Sequence, residues 1–223
     1  PDFIGEVRRG DNLYSESLIA LDPDTGELEW YFQFLPHDVH DYDSTQVPVL
    51  LDAALEGEPR KLLLFPNRNG FYYVLDRVTG EFLVGKPFAR QTWAIGLDED
   101  GRPIENPETI PSTDGALVYP DDDGAANWYS PTYSPQTQLL YQNVREKGGI
   151  YYLADATYEP GKIYMGASRR VVSGEDPKGF LRALDALTGD LVWELEVHAP
   201  PWAGLMSTAG GLGFSGTMGG DFF

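Results

Sequence analysis

A short pattern that occurs three times constrains the fold of this chain more than any other feature of its sequence. Each copy has an apolar strand, an aspartate, a turn closed by Thr-Gly and a second strand: ALDPDTGELEW (20–30), VLDRVTGEFL (74–83) and ALDALTGDLVW (183–193). The aspartate side chain can cap such a turn, and the glycine supplies a positive φ. Trp30 and Trp193 occupy the same place in their copies, and we expect each ring to pack on the next repeat. The pattern therefore predicts a series of β-hairpins.

The spacing of the three aspartates predicts how these hairpins are arranged. Asp22 and Asp76 are 54 residues apart, whereas Asp76 and Asp185 are 109 apart, about twice that separation. A degenerate copy is therefore expected near residue 130, where TYSPQTQLLYQN (132–143) has a strand, a polar turn and a strand. A period of about 50 residues built from four short strands is typical of a β-propeller blade. The predicted fold is an all-β propeller, with about four blades in residues 1–223.

Four blades would form an open arc and not a ring. Propellers close with up to about eight blades, and an open arc would leave long sheet edges unpaired. We therefore expect residues 1–223 to be one partial propeller domain, completed by further blades of the same protein or by another chain. The sequence begins Pro-Asp-Phe without a methionine and ends Gly-Asp-Phe-Phe, which we interpret as two cuts through a longer polypeptide.

The segments between the repeats supply further strands. KLLLF (61–65), the turn PNRNG and FYYVLD (71–76) predict a hairpin with an Asn-Gly signal. Residues 94–126 have little apolar periodicity and are predicted to form a long loop. We find no amphipathic helix pattern. No apolar run reaches the roughly 18 residues that a membrane-spanning helix needs, so none is predicted.

The charge balance is strongly acidic. Asp and Glu number 35 against 16 Lys and Arg, a formal net charge of −19. This disfavours nucleic acid as a partner, since the phosphates would be repelled. It fits a protein that binds cations, one that meets a basic partner, or acidity that serves solubility alone. The chain contains no Cys, which excludes disulfides and thiolate metal sites within it.

The acidic segment PHDVHDYDST (36–45) is the first candidate site. In an extended strand, Asp41 and Asp43 would share one face, and Asp38, His40 and Tyr42 the other. Two carboxylates about 7 Å apart on one face favour a hard cation held by oxygen ligands. The alternative is that Asp38 and Asp43 cap turns while Asp41 is solvated. His37 and His40 would converge only on a helix, so a zinc site there is disfavoured.

Three further residues are candidate site residues, although each could equally have a purely structural role. Arg68 lies in the turn of the predicted 61–76 hairpin and could be a surface arginine. Asn127 follows the acidic run DDDGAA and could mark a junction between loop and strand. Trp202 follows two prolines and could pack between blades, as most tryptophans pack in a core.

Four longer segments together resemble one family, the quinoprotein alcohol dehydrogenases, which use pyrroloquinoline quinone and are related to methanol and ethanol dehydrogenases. They are GDNLYSESLIALDPDTGELEWYFQFLPHDVHDYD, PNRNGFYYVLDRVTGEF, ANWYSPTYSPQT and PPWAGLMSTAGGLGFSGT, in that order along the chain. The resemblance covers nearly all of the sequence. It implies an eight-bladed propeller with the quinone on its axis, of which this chain forms middle and later blades.

The resemblance also implies roles for individual residues. Asp41 matches the family's catalytic aspartate, and Arg68 an arginine that contacts both the quinone and that aspartate. Asn127 matches an asparagine that hydrogen-bonds the quinone, and Trp202 a tryptophan that lines its pocket. Members that use a lanthanide have a second aspartate two residues after the catalytic one, which is Asp43 here. The expected metal ligands are therefore Asp41 and Asp43, and the expected ion is a lanthanide, with Ca²⁺ as the alternative.

The activity implied by the resemblance is oxidation of primary alcohols to aldehydes. Asp41 would act as general base, Arg68 would stabilise developing negative charge, and electrons would pass to a cytochrome c in the periplasm. The family's Glu and Asn metal ligands match no position of this chain, so the chain alone is not expected to catalyse. The alternatives are a noncatalytic propeller scaffold of the same repeat family and a quinoprotein that acts on sugars or polyols.

Overall fold

The computed structural model describes residues 3–154 and 157–223, and within them it is an all-β protein. The described residues contain one 3₁₀-helix, Pro107–Thr109, and no helix long and apolar enough to cross a membrane. The strands, in chain order, are β1 Ser17–Leu21, β2 Leu28–Gln33, β3 Val49–Leu55, β4 Glu58–Pro66, β5 Phe71–Asp76, β6 Phe82–Pro87, β7 Ala94–Leu97, β8 Pro103–Glu105, β9 Ala116–Val118, β10 Thr132–Ser134, β11 Leu139–Glu146, β12 Gly149–Leu153, β13 Ala167–Val171, β14 Lys178–Asp185, β15 Leu191–Val197, β16 Met206–Ser207 and β17 Gly213–Phe214.

Two antiparallel sheets have four strands each, in the orders β3-β4-β5-β6 and β10-β11-β14-β15. The hairpins β1-β2 and β16-β17 lie before and after them in the chain. A two-stranded sheet, β7-β8, and a three-stranded sheet, β13-β12-β9, are formed by the segments between and within the large sheets. Four-stranded antiparallel sheets that follow one another along the chain are the units of a propeller, so the predicted fold class is confirmed at the level of the blade.

The three repeated turns have the structure that the sequence predicts. In each, Oδ1 of the aspartate accepts hydrogen bonds from the backbone N–H groups two and three residues later, as for Asp76 with Val78 at 2.9 Å and Thr79 at 3.3 Å. The closing glycine is left-handed in each case, with φ between 71° and 77°. The Trp30 ring packs on the next repeat, because a Cβ added to Gly80 would lie 2.7 Å from it. Trp193 instead contacts Tyr141 of its own sheet, with ring centroids 5.8 Å apart.

A hairpin lies at the position predicted for the degenerate repeat. Residues 132–143 form β10-β11, and in the turn between them the Gln138 N–H donates to the Ser134 carbonyl at 2.8 Å, with Gln138 at φ 59°, as the closing glycine does to the aspartate carbonyl in the three other turns. This hairpin shares one four-stranded sheet with the Asp185 turn, so it does not mark a separate blade, and β7, β8, β9, β12 and β13 lie before and within that sheet. The predicted long loop at 94–126 is wrong, since it contains β7, β8, the 3₁₀-helix and β9.

The sheet β3–β6 is buried on both faces. Alternate residues of a strand point to opposite sides, and Leu63 and Phe65 of β4 pack in one core while Leu62 and Leu64 pack in the other. The first core includes side chains from the segment after β2, and the second includes side chains of β11 and β14. The Tyr72 hydroxyl donates to the Ala186 carbonyl at 2.7 Å across the second core. Successive sheets therefore stack face to face, which fixes the loops at their ends relative to one another.

Candidate active site

The acidic segment after β2 is shaped by Asp38. Its buried carboxylate accepts hydrogen bonds from the backbone N–H groups of His40, at 2.7 Å, and Tyr42, at 2.6 Å. The backbone turns at Asp41, whose φ is 64°. The predicted extended conformation is therefore wrong at Asp41, although the predicted division of faces holds: Asp38, His40 and Tyr42 are buried, whereas Asp41 and Asp43 are partly exposed. Asp38 therefore caps a turn, which is the alternative to a metal-site role stated above for this residue.

The two histidines of the segment bind backbone carbonyls on two different segments. Nδ1 of His37 lies 2.9 Å from the Gly10 carbonyl, and Nε2 of His40 lies 2.9 Å from the Thr109 carbonyl. The His40 ring stacks on Tyr42 with centroids 5.3 Å apart. Burial lowers the pKa of His40 to about 4, so the ring is neutral near pH 7. Both histidines anchor the acidic segment to its neighbours.

Asp41, Asp43 and Arg68 are brought together. Burial and the Asp43 carboxylate raise the pKa of Asp41 to about 6, against the opposing effect of the Arg68 guanidinium. Two carboxylates that repel one another next to one cation form an anionic surface with oxygen ligands, which suits a hard metal ion. The roles of Asp41 and Asp43 as metal ligands remain predictions.

Glu16 is a third carboxyl group at this surface, and no local pattern in the sequence marks it. It is 6% exposed, accepts a hydrogen bond from the Ser44 N–H at 2.9 Å and contacts the Asp43 carboxyl group. Asn67 in turn donates to the Ser44 hydroxyl at 2.9 Å. Burial, together with the Asp38 and Asp43 carboxylates, raises the pKa of Glu16 to about 8. Glu16 therefore holds the Ser44 end of the acidic segment.

In metal-free buffer we expect the free energy of unfolding to fall by roughly 2 kcal/mol between pH 6.5 and 8 because of Glu16. The folded carboxyl keeps its proton up to about pH 8, whereas in the unfolded chain it loses the proton near 4.5. The stabilisation is thus complete below pH 4.5 and is lost as the pH rises to about 8. Asp38, Asp41 and His40 have pKa values of about 6, 6 and 4 and contribute mainly below this window.

Urea unfolding in the presence of a chelator, at pH 6.5 and 8, measures this dependence. Glu16→Gln should remove the fall in stability, whereas Glu99→Gln, at an exposed position in the β7-β8 turn, should retain it. An equal pH dependence in parent and Glu16→Gln would contradict the assignment.

Arg68 is positioned by the turn that contains three successive aspartates. Its Nε donates to the Asp122 carbonyl at 2.9 Å, and its Nη2 donates to the same oxygen. Gly124, with φ 77°, lies directly beneath the side chain, and a Cβ there would overlap Arg68 Cγ. The glycine is therefore required both by its left-handed backbone and by the close approach of the arginine.

We expect Gly124→Ala to destabilise the protein more than Gly174→Ala, because the two glycines have nearly the same φ, 77° and 78°, and only Gly124 has a neighbour in the way. The shared backbone cost is about 1 kcal/mol, and overpacking against Arg68 should add about 1–3 kcal/mol at Gly124. Urea unfolding of both variants measures the difference. Equal losses of stability would show that Arg68 moves aside at no cost.

The aspartates of this turn are themselves ion-paired. Carboxylate oxygens of Asp121, Asp122 and Asp123 lie within 4.8 Å of one another. Buried Asp121 pairs with Lys147 at 3.0 Å and with Arg169 at 3.3 Å, and the other two aspartates pair with arginines. Because cationic side chains already compensate these charges, the cluster is a structural network that supports the turn.

Asn127 and Trp202 lie at the far end of the same turn. The buried Asn127 amide donates to the Asp123 carbonyl at 2.8 Å and accepts from the Trp128 N–H at 2.8 Å. One N–H and one oxygen lone pair remain for a ligand. Trp202 is partly buried and contacts Tyr129, with centroids 5.6 Å apart, and Arg145, whose Cζ is 4.8 Å from the ring centroid. Tyr129 and Arg145 were not predicted from the sequence.

The five predicted site residues thus lie along two neighbouring structural units. Asp41 and Asp43 belong to the acidic segment, while Asn127 belongs to the three-aspartate turn and Trp202 contacts Tyr129 beside it. Arg68 links the two units, because it is bound to the Asp122 carbonyl and acts electrostatically on Asp41. A carboxylate wall joined by an arginine to an aromatic and amide wall, on stacked four-stranded sheets, agrees with a propeller of the quinoprotein type.

Comparison with known proteins agrees with this class. The family model described as "PQQ: Glucose/ethanol/alcohol dehydrogenase, beta-propeller domain" matches residues 1–92. The chain is 40% identical over 220 residues to quinoprotein alcohol dehydrogenase PedH of Pseudomonas putida, covering 95% of this chain and 37% of that protein. It is 39% identical over 220 residues to the lanthanide-dependent methanol dehydrogenase of Methylacidiphilum fumariolicum, covering 96% of this chain and 36% of that protein.

The fold comparison gives the same result. The structure of a europium-containing methanol dehydrogenase superposes with a TM-score of 0.90 and 37% identity, covering 99% of this chain and 40% of the other. The chain is similar to quinoprotein alcohol dehydrogenases over nearly its whole length, and its fold is that of their β-propeller. It spans 36–37% of the length of the two relatives named above.

Proposed function

We propose that this chain is part of an enzyme that oxidises primary alcohols to aldehydes with pyrroloquinoline quinone and a bound metal ion. The observation that carries the proposal is the juxtaposition of Asp41, Asp43 and Arg68, two partly exposed carboxylates beside one guanidinium. The named relatives of this chain are quinoprotein alcohol dehydrogenases, which supports the class of reaction.

The residues present fit both implied groups. Asp41 and Asp43 offer the anionic oxygen ligands that a hard cation prefers. Asn127 keeps one amide N–H and one oxygen lone pair, and the Trp202 ring is partly exposed, which suits a planar ligand that forms hydrogen bonds. Asp41 and Asp43 would hold the ion, and Arg68, Asn127 and Trp202 would contact the quinone.

When bound, the quinone supplies the hydride acceptor and the ion supplies a Lewis acid. Asp41 takes the proton of the alcohol hydroxyl as general base. Arg68 is permanently cationic, and its two hydrogen bonds to the Asp122 carbonyl hold the guanidinium in place. It stabilises negative charge that develops next to Asp41.

The metal is proposed to be a lanthanide, with Ca²⁺ as the alternative. A trivalent ion with a high coordination number favours one more anionic oxygen ligand than Ca²⁺ requires, and Asp43 supplies it. Two similar proteins are named for such metals, one as a lanthanide-dependent and one as a europium-containing methanol dehydrogenase.

The remaining proposals concern the whole protein. This chain would be completed by further propeller blades of the same polypeptide, would be inactive without them, and would act in the periplasm. Electrons would pass to a cytochrome c, and the net charge of −19 would favour a basic acceptor through electrostatic steering. A similar protein of Thauera butanivorans is named 1-butanol dehydrogenase (cytochrome c).

The test is a titration of the full-length apoprotein with pyrroloquinoline quinone and either La³⁺ or Ca²⁺, following ethanol-dependent dye reduction and quinone binding separately. We expect activity with La³⁺ and little with Ca²⁺. Activity with Ca²⁺ alone would support the proposed enzyme class and exclude a lanthanide as its metal. Quinone binding with activity on sugars or polyols only would change the substrate class. Absence of quinone binding with either ion would leave a noncatalytic propeller scaffold.

A further inference from the structure

Glu16 is a buried acidic residue that binds the backbone on both sides of Asp41 and Asp43. Its carboxylate accepts a hydrogen bond from the Ser44 N–H at 2.9 Å, and its backbone carbonyl accepts one from the Phe34 N–H at 2.9 Å. The backbone of Glu16 is left-handed, with φ 51°, a conformation that is strained for any residue with a Cβ. Strained residues held in place by their surroundings cluster at functional sites.

The Glu16 carboxyl group lies beside the Asp43 carboxyl group, within hydrogen-bond reach of it. No Lys or Arg side chain in the described part of the chain forms an ion pair with Asp43. The next residue, Ser44, is held from two sides, by Glu16 and by the Asn67 amide, which donates to its hydroxyl at 2.9 Å. Glu16 thus contacts both the side chain of Asp43 and the backbone that follows it.

The position of Glu16 is that of a support and not of a metal ligand. Among the described residues, the only three carboxylates whose oxygens all lie within 4.8 Å of one another are Asp121, Asp122 and Asp123. Glu16, Asp41 and Asp43 do not converge in this way. Glu16 is buried, whereas the two aspartates are partly exposed, so Glu16 supports Asp43 from the buried side.

We propose that Glu16 is a positioning residue of the metal site, which holds the Asp43 carboxylate in the orientation that a lanthanide ion requires. This rests on the proposed function, in which Asp41 and Asp43 hold the ion. A residue that hydrogen-bonds a metal ligand fixes the orientation of that ligand, and its loss typically costs about 10- to 100-fold in metal affinity. Because Asp43 is the carboxylate that favours a trivalent ion, Glu16 contributes to the choice of metal without touching the ion.

Two conservative variants separate the contact made by Glu16 from its charge. In Glu16→Gln the side chain keeps its length and loses its charge, and the amide can accept from the Ser44 N–H and donate to the Asp43 carboxylate. In Glu16→Asp the charge is kept, but the side chain is one methylene shorter and loses its reach to both partners. The measurement is the dissociation constant of La³⁺ and of Ca²⁺, by calorimetry, for the full-length apoprotein.

We expect Glu16→Asp to weaken La³⁺ binding by about tenfold and Ca²⁺ binding by less than about threefold. Glu16→Gln should bind both ions within about threefold of the parent. In an Asp43→Ala background, Glu16→Asp should have no further effect on La³⁺, because the residue through which Glu16 acts is gone. The matched control is Glu56→Asp, at an exposed glutamate in the β3-β4 turn with nearly the same φ, 54°, and it should bind as the parent does.

Three results would overturn this inference alone. One is a loss of La³⁺ affinity in Glu16→Gln as large as that in Glu16→Asp, or larger, which would show that the charge acts and not the contact. Another is an equal loss for both ions in Glu16→Asp, or a loss that persists without the Asp43 carboxylate, which would make Glu16 a general support of the acidic segment. The third is unchanged La³⁺ affinity in both variants. A parent that binds neither ion would overturn the proposed function as well.

Discussion

We expect Asp41→Asn to lower the turnover number of the full-length enzyme with a primary alcohol by about 10²- to 10⁴-fold, the usual contribution of a general base. The amide is nearly the same size as the carboxylate but cannot take the hydroxyl proton at neutral pH. Asp41 is held in a left-handed turn by Asp38, so the substitution should leave the backbone of the acidic segment in place. Dye reduction at saturating quinone and La³⁺ measures the effect.

The control for Asp41→Asn is Asp24→Asn, the same chemical change at an exposed position in the first repeated turn. It should retain the activity of the parent. Quinone and metal occupancy should be measured for both variants, so that loss of the base is separated from loss of the ion. An Asp41→Asn enzyme with full occupancy and activity within threefold of the parent would exclude Asp41 as the base.

We expect Asp43→Ala to reduce La³⁺-dependent activity by about tenfold or more while Ca²⁺-dependent activity is unchanged or higher. Removing one carboxylate lowers the negative charge next to Asp41, which weakens the site more for a trivalent than for a divalent ion. The effect is measured by titrating apoprotein with each ion and recording both the activity and the metal dissociation constant.

A matched control for Asp43→Ala is Asp114→Ala, which removes an exposed carboxylate from the turn before β9. It should not change the response to either ion. Equal loss of La³⁺- and Ca²⁺-dependent activity in Asp43→Ala would contradict a role in choosing the metal. It would make Asp43 a residue that positions Asp41 with any ion.

Features governed by local rules could be predicted from the sequence. The capping by Asp22, Asp76 and Asp185 follows from the reach of a short carboxylate to backbone N–H groups two and three residues away, and the glycine closing each turn follows from its positive φ. The degenerate repeat at 132–143 could also be placed, because the same turn forms there with Ser134 and Gln138 in the positions of the aspartate and the glycine. Its membership of the sheet that holds the Asp185 turn could not be predicted, since only the pairing of β11 with β14 shows it.

The grouping of Asp41, Asp43 and Arg68 was expected from the family resemblance and not from a local rule, and their roles remain predictions. Glu16 meets Ser44 across 28 residues and Arg145 meets Asp123 across 22, and no local pattern marks such contacts. Their burial depends on how the sheets stack, which the sequence pattern does not specify.

The three-aspartate turn has a consequence for how such a site can change. Asp122 holds Arg68, while Asp123 holds both Asn127 and Arg145, so the proposed cofactor side depends on one tripeptide, and the Asp122 carboxylate also acts electrostatically on Asp41. The carboxylate wall is supported separately, by Asp38, Glu16 and Ser44. On the proposed roles, metal preference and cofactor affinity should be alterable one at a time, with Arg68 and Asp122 as the side chains through which a change in one would reach the other.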